Sequence, residues 1–313
     1  MSAAPGGRRL AVRVDVDTHT GLRDGVPILL DLFARAQVRA SFFVTMGPDH
    51  SGRAIRRVFT RPGFAGKMAR TGALRTYGLY TVLSGTLLPA RPVGAGFPHL
   101  LRLIESCGHE CGIHGWDHVL WHDGLERMAP EAVAAELRRA ADAFAEATGH
   151  APAGTAAPAW RATDDSLSIQ DDMPFRYASD CRGRSPFRAA SARGARRTIQ
   201  IPATLPTLDE LIGLPGMNEA SIGERLSRGL DPEGLNVLTL HTEIEGRHHA
   251  PTLLALLRRF SADGWTFETL GETAERARRS ALPLCAMTRG TVEGRAGWLS
   301  VQGPETATAG LTP

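Results

Sequence analysis

At 313 residues, with 42% hydrophobic and 22% charged side chains, the chain has the make-up of a globular protein, long enough for one large α/β domain or two small ones. It holds no apolar run of the ~18 residues needed to cross a bilayer, and the segment before Leu10, MSAAPGGRR, lacks the apolar core of a signal peptide, so a cytoplasmic location is expected. Four cysteines (Cys107, Cys111, Cys181 and Cys285) are too few for a disulfide framework, and the net charge of +3 conceals an uneven distribution of basic residues.

In chain order, Leu10–Val16 reads as a strand, Val26–Ala36 as a helix and Ala40–Thr45 as a strand. No Asp or Glu occurs between Asp49 and Glu105, where Arg53, Arg56, Arg57, Arg61, Lys67, Arg70, Arg75, Arg91 and Arg102 fall. A helix near His99–Cys107, a strand at Glu110–His114 and a helix from Glu131 to Thr148 follow. The last is opened by Pro130 and stopped by Gly149. Strands are expected at Tyr177–Asp180, Thr198–Pro202, Asn236–His241 and Trp265–Glu268, and helices at Asn218–Leu230, Ala250–Asp263 and Leu270–Ser280. A second acid-free run, Cys181 to Leu208, carries Arg182, Arg184, Arg188, Arg193, Arg196 and Arg197, and its Ser, Ala and Gly content reads as a mobile loop. Alternating strands and helices argue a parallel sheet, and their number favours a distorted (β/α) barrel over an open sheet. One domain over residues 8–302 is expected, with a basic, partly helical insertion at 46–105 after the second strand and a disordered tail at 303–313.

In such a barrel, chemistry sits at the carboxyl ends of the strands. Asp15 and Asp17, two apart at a strand end, project from one face. Two carboxylates so close resist ionising together unless a cation or an arginine lies between them. His114 ends the next notable strand and His118 follows four residues on, in the loop beyond. Two imidazoles and a carboxylate with open positions suit a hydrolytic divalent metal. A structural zinc site from Cys107, Cys111, His114 and His118 is the local competitor, with tighter spacing than a zinc finger. His241 ends a third apolar strand, where a lone histidine is more often structural. His19, His122, His248 and His249 read as surface-loop residues, and Glu243 and Glu245 as groups for a sugar hydroxyl or for solvent.

The segments VDVDT, HGWDH, APAWRA, SDCRG and LTLHTE resemble, in order and approximate spacing, the motifs of the NodB-type polysaccharide deacetylases, carbohydrate esterase family four. DVDTHTGLRDGVP, SFFVTMGPD, YASDCRGRSPFR, QIPATLPTLDE, LHTEIEG and RGTVEGRAGWL extend the resemblance, from Leu10 to Leu299, to the branch that deformylates 4-deoxy-4-formamido-L-arabinose on undecaprenyl phosphate during lipid A modification. Secreted members of the wider family carry adjacent aspartates, whereas here Val16 separates them, and the arginine lies in PAWRA. The resemblance implies a NodB-type fold and a divalent metal (Zn, Mn or Co) held by Asp17, His114 and His118. It further implies Asp15 as general base, His241 as general acid, Arg161 as the residue that orients Asp15, and Asp180 as the holder of Arg161. It implies a polyprenyl-phosphate-linked amino-sugar substrate.

The acid-free insertion mixes arginines with Ile55, Val58, Phe59, Phe64, Tyr77 and Leu79, which suits a peripheral contact with an anionic membrane surface, at the cytoplasmic face of the inner membrane. A nucleic-acid partner is not expected: aromatics make up 6% of the chain and no recognised binding motif interrupts the basic run. A binding protein without activity is disfavoured because every expected catalytic position is filled.

Overall fold

The structure, a computed structural model, describes residues 7–56 and 79–306. Hydrophobic periodicity places the main elements well: β1 (Arg9–Val16), α1 (Val26–Ala36), β2 (Ser41–Val44), α2 (Pro98–Ser106) and β3 (Glu110–Ile113) lie where expected. α3 (His118–Gly124) then fills what reads in the sequence as a loop, followed by α4 (Pro130–Thr148). α4 starts on a proline and stops at Gly149 with φ 90°, the left-handed conformation that favours glycine. The second half holds β4 (Gly154–Thr155), α5 (Asp164–Asp171), β5 (Tyr177–Ala178), β6 (Phe187–Ser191), β7 (Gly194–Gln200) and α6 (Leu208–Leu211). It ends with α7 (Glu219–Gly229), β8 (Val237–His241), α8 (Ala250–Ala262), β9 (Thr266–Glu268), α9 (Leu270–Ala277), β10 (Leu284–Gly290) and β11 (Leu299–Glu305).

The sheet runs β11-β10-β6-β7-β5-β4-β3-β2-β1-β8, with β9 also paired to β1. From β8 through β1 to β5 and β7 every pairing is parallel. β7 and β8 are not paired as strands. The irregular backbone after β7 bridges them: Ile201 N donates to Ala178 O at 2.8 Å, Ala203 N to Cys181 O at 3.0 Å and Leu205 N to Val237 O at 3.2 Å. The sheet is thus not closed as a ladder, and irregular backbone spans the gap between β7 and β8 in a barrel-like arrangement.

Side chains of β1 alternate between two environments, as the period of two requires. Leu10, Val12, Val14 and Val16 join the core under the helices, with Leu29, Phe33, Ile104, Phe144 and Leu257. Ala11 joins the interior cluster with Phe43, Trp160, Tyr177, Ile199 and Val237. Fully burying each such aliphatic or aromatic side chain is worth ~1.5–3 kcal/mol, so β1 is anchored from both sides. Its register carries Arg13, Asp15 and the chain to Asp17 up the interior face.

Two expectations are corrected here. The run from Cys181 to Leu208 contains a β6–β7 hairpin, with Gly194 at φ 109° closing its turn. Three of its six arginines are used within the fold, Arg182 pairing with Glu210, Arg196 with Asp164 and Arg188 Nη1 donating to Arg196 O and Arg197 O, while Arg184, Arg193 and Arg197 are exposed. Gly303, Pro304 and Glu305, expected in the tail, instead end β11, which pairs antiparallel with β10, and residues 307–313 lie outside the described residues. Of the basic insertion, residues 57–78 and their Arg57, Arg61, Lys67, Arg70 and Arg75 lie outside the described residues.

Candidate active site

The carboxyl ends of β1, β3 and β8 meet at one mouth of the barrel. Asp15 is buried there, gripped by a guanidinium: Arg13 Nε and Nη2 each donate to one of its carboxylate oxygens at 2.7 Å. Arg13 Nη1 also donates to Ser179 O at 2.5 Å and Ser179 Oγ at 3.1 Å. Burial raises the pKa of Asp15, but the adjoining charges, Arg13 foremost, outweigh it and lower the pKa from 3.8 to about 2. Asp15 is therefore ionised and oriented. Arg13, set among Val12 and Val14, was the site residue that sequence reasoning missed. A signal existed, since an arginine alternating with Asp15 on an interior strand face needs a carboxylate partner.

Asp17, His114 and His118 offer ligand atoms that all lie within 4.8 Å of one another. His114 Nε2 is 3.4 Å from Asp17 Oδ1, and His118 Nε2 is 3.5 Å from Asp17 Oδ2. His114 Nδ1 donates to Ala156 O at 2.8 Å, which leaves the Nε2 lone pair facing the cluster. Burial lowers this imidazole from 6.5 to about 4, so it stays neutral. Asp17 Oδ1 is buried with no hydrogen-bond partner among the described residues. A carboxylate oxygen lacking a donor beside two imidazole lone pairs is the chemistry of a cation site, and the residues fit a divalent metal.

Local structure delivers His118. Gly115 turns the chain at φ 75° after His114, and Asp117 caps α3 by accepting from Val119 N and Leu120 N, both at 3.0 Å. His118 is then the first helical residue. The alternative Cys2His2 site is not formed, because Cys111 faces the helix-covered core, on the opposite face of β3 from the mouth, and Cys107 is exposed.

His241 ends β8, its backbone N donating to Glu245 Oε2 at 2.8 Å and its Nδ1 3.9 Å from Asp209 Oδ1. Burial alone would lower its proton affinity, but the carboxylates of Asp209, Asp17, Asp15 and Glu245 raise it above the ordinary imidazole value. Asp209 is a second residue missed in the sequence, although it lies in the QIPATLPTLDE segment, which was the signal that could have found it. Glu243 is buried rather than facing solvent: its Oε1 accepts from Thr18 N at 3.0 Å and Thr18 Oγ1 at 2.7 Å, bracing the loop after Asp17.

Arg161 and Asp180 are placed otherwise than expected. Arg161 does not reach Asp15; its Nη1 donates to His122 O at 2.9 Å and its Nη2 to Trp298 O at 3.3 Å. Asp180 does not hold Arg161 but accepts from Ala157 N at 2.9 Å and Gln200 Nε2 at 3.0 Å. The place kept for Arg161 is taken by Arg13, which reaches Asp15 along the same strand face. His19 is buried rather than on a surface loop, its Nδ1 donating to Pro92 O at 2.9 Å, and His122 packs edge-on against His118. His248 is exposed and His249 partly so.

Residues 6–178 match the polysaccharide deacetylase family. The chain belongs to that family. It is accordingly a hydrolase of amide bonds, and the Asp17, His114 and His118 cluster agrees with the metal dependence general in the family. It is 36% identical over 94% of its length, and 94% of the relative's, to the "Probable 4-deoxy-4-formamido-L-arabinose-phosphoundecaprenol deformylase ArnD" of Shewanella sediminis. A like-named protein of Wigglesworthia glossinidia brevipalpis is 28% identical over 90% of this chain and 98% of its own. A solved structure from Mycobacterium smegmatis shares the fold, with TM-score 0.64 and 21% identity over 93% of this chain and 98% of the other.

Proposed function

We propose that this deacetylase-family protein is a divalent-metal-dependent deformylase. Its substrate is 4-deoxy-4-formamido-L-arabinose on undecaprenyl phosphate, and it yields formate and the aminoarabinose lipid used to modify lipid A. The observation that carries this reading is the similarity to a curated deformylase along nearly the whole chain, joined to a mouth where an ionised Asp15 stands beside the Asp17, His114 and His118 cluster. Asp17, His114 and His118 would hold a Zn, Mn or Co ion, which would acidify water and polarise a carbonyl oxygen.

The chain's own groups supply the proton transfers. Asp15, kept ionised by Arg13, takes the proton from the attacking water, and Arg13 prevents the carboxylate from rotating away. An expelled amine is a poor leaving group and must be protonated as it departs. His241 donates that proton, and the carboxylates around it, Asp209 nearest its Nδ1, keep it charged for the purpose. Purified protein offered polyprenyl-phosphate-linked formamido- and acetamido-arabinose should release formate from the first; acetate alone overturns the substrate.

The same reading sets the protein peripherally on the cytoplasmic face of the inner membrane. Support comes from the acid-free run and from Leu79 and Leu87, which are 64% and 81% exposed. Each Lys or Arg at an anionic leaflet contributes ~1 kcal/mol. Changing Arg53, Arg56 and Arg57 to Glu should therefore weaken sedimentation with anionic liposomes by ~100-fold or more, as should high salt, with hydrolysis of a short water-soluble analogue largely kept. Wild-type protein that ignores anionic liposomes at low salt defeats the membrane contact.

A further inference from the structure

Three guanidinium groups surround the Trp160 ring: Arg13 at 5.0 Å, Arg182 at 5.1 Å and Arg295 at 4.8 Å from its centroid. Two of them are matched. Arg13 is spent on Asp15, and Arg182 Nη1 reaches both oxygens of Glu210 at 3.0 and 3.2 Å while its Nη2 donates to Leu205 O at 2.7 Å. Arg295 is not. Its side chain is 11% exposed, and its ionic neighbour, Glu210 Oε1, lies at 3.8 Å, well beyond the ~2.7–2.9 Å of a charge-assisted hydrogen bond. The Glu210 carboxylate is already engaged by Arg182 and by Thr207 N at 3.0 Å. Among the described residues the Arg295 guanidinium donates no hydrogen bond.

The position of Arg295 is built rather than incidental. It lies in the turn between β10 and β11, where Gly294 at φ 78° runs so close to Glu210 O that a Cβ there would stand 1.9 Å away. The Trp160 segment is strained as well, Ala159 and Trp160 having φ of 57° and 51°. The Trp160 ring, whose centroid is 6.3 Å from that of His241, is 1% exposed and its Nε1 donor has no acceptor among the described residues. A nearly buried guanidinium whose ion pair with Glu210 is long, at 3.8 Å, and a buried indole N–H without an acceptor among the described residues meet at Trp160. Their complement is an oxyanion.

We infer that Arg295 and Trp160 form an oxyanion subsite that binds the phosphodiester of a glycosyl phosphate. This rests on the proposed substrate, in which the phosphodiester lies across the sugar ring from the formamide. The subsite selects lipid-phosphate sugars over neutral glycosides.

The test is calorimetric binding of ethyl arabinosyl phosphate and of methyl arabinoside to the full chain supplied with Mn²⁺. Neither ligand carries an amide, so the outcome is independent of which acyl group the formate assay finds. Arg295→Gln should weaken the phosphodiester by about 10- to 100-fold, the span of one charged hydrogen bond, and the glycoside by at least tenfold less. Arg295→Lys, which keeps the charge and much of the packing on Trp160, should fall between wild type and Arg295→Gln. Equal weakening of both ligands by the two variants, or no weakening of the phosphodiester, overturns the subsite.

Discussion

Asp15→Asn is expected to lower turnover by about three orders of magnitude, within the range for a general base, and to leave metal content at the wild-type level. The base is lost because an amide does not take up the water's proton, while the three candidate ligands, Asp17, His114 and His118, are untouched. The change also strips the buried Arg13 of its counter-charge. Breaking such a pair costs ~3–5 kcal/mol, an upper figure here because the Asn oxygen and Ser179 O still accept from the guanidinium. A lower melting temperature should accompany the loss of turnover, and assays belong well below it. His118→Ala should behave differently: removing one of three candidate ligands should lower metal content and turnover together. Elemental analysis separates the two variants, and equal metal loss in both makes Asp15 a ligand instead of the base.

His241→Ala removes the proton donor and should cost about 100- to 1000-fold on an amide. Its effect on an activated ester of the same sugar should be far smaller, since that leaving group departs unprotonated. The wild-type rate against pH is expected to be bell-shaped, with apparent values that belong to the coupled site. A general acid works while protonated, so its loss of activity comes as pH rises, and the carboxylates facing His241 place that limb above the ordinary imidazole value of 6.5. In His241→Ala the alkaline limb should flatten. Equal losses on amide and ester remove His241 from the acid role.

Much of this was legible in the chain because it is local. Apolar periodicity placed β1, α1, β3 and β8 to within a residue or two, since burial on one or two faces imposes a period that no other pattern shares. The spacing of Asp15 and Asp17, and His114 followed by His118, marked the strand ends for the same reason. The β6–β7 hairpin was hidden because its strands are rich in Arg, Ala and Gly, and pairing with β5 and β10 holds them in place of an apolar pattern.

Tertiary structure alone decided the partners. Which arginine reaches Asp15 depends on the interior of the barrel, where Arg13 already shares the face of Asp15 and its spare N–H groups find Ser179, 166 residues further on. Arg161, leaving a left-handed turn at Ala159 and Trp160, is directed instead to His122 and Trp298. The approach of Asp209 to His241, and of Arg295 to Trp160, likewise joins segments that only the barrel-like arrangement brings together. Strand period is set by the backbone of each segment. The pairing of buried charges is set by which segments are driven out of water against one another, and spacing along the chain does not encode it.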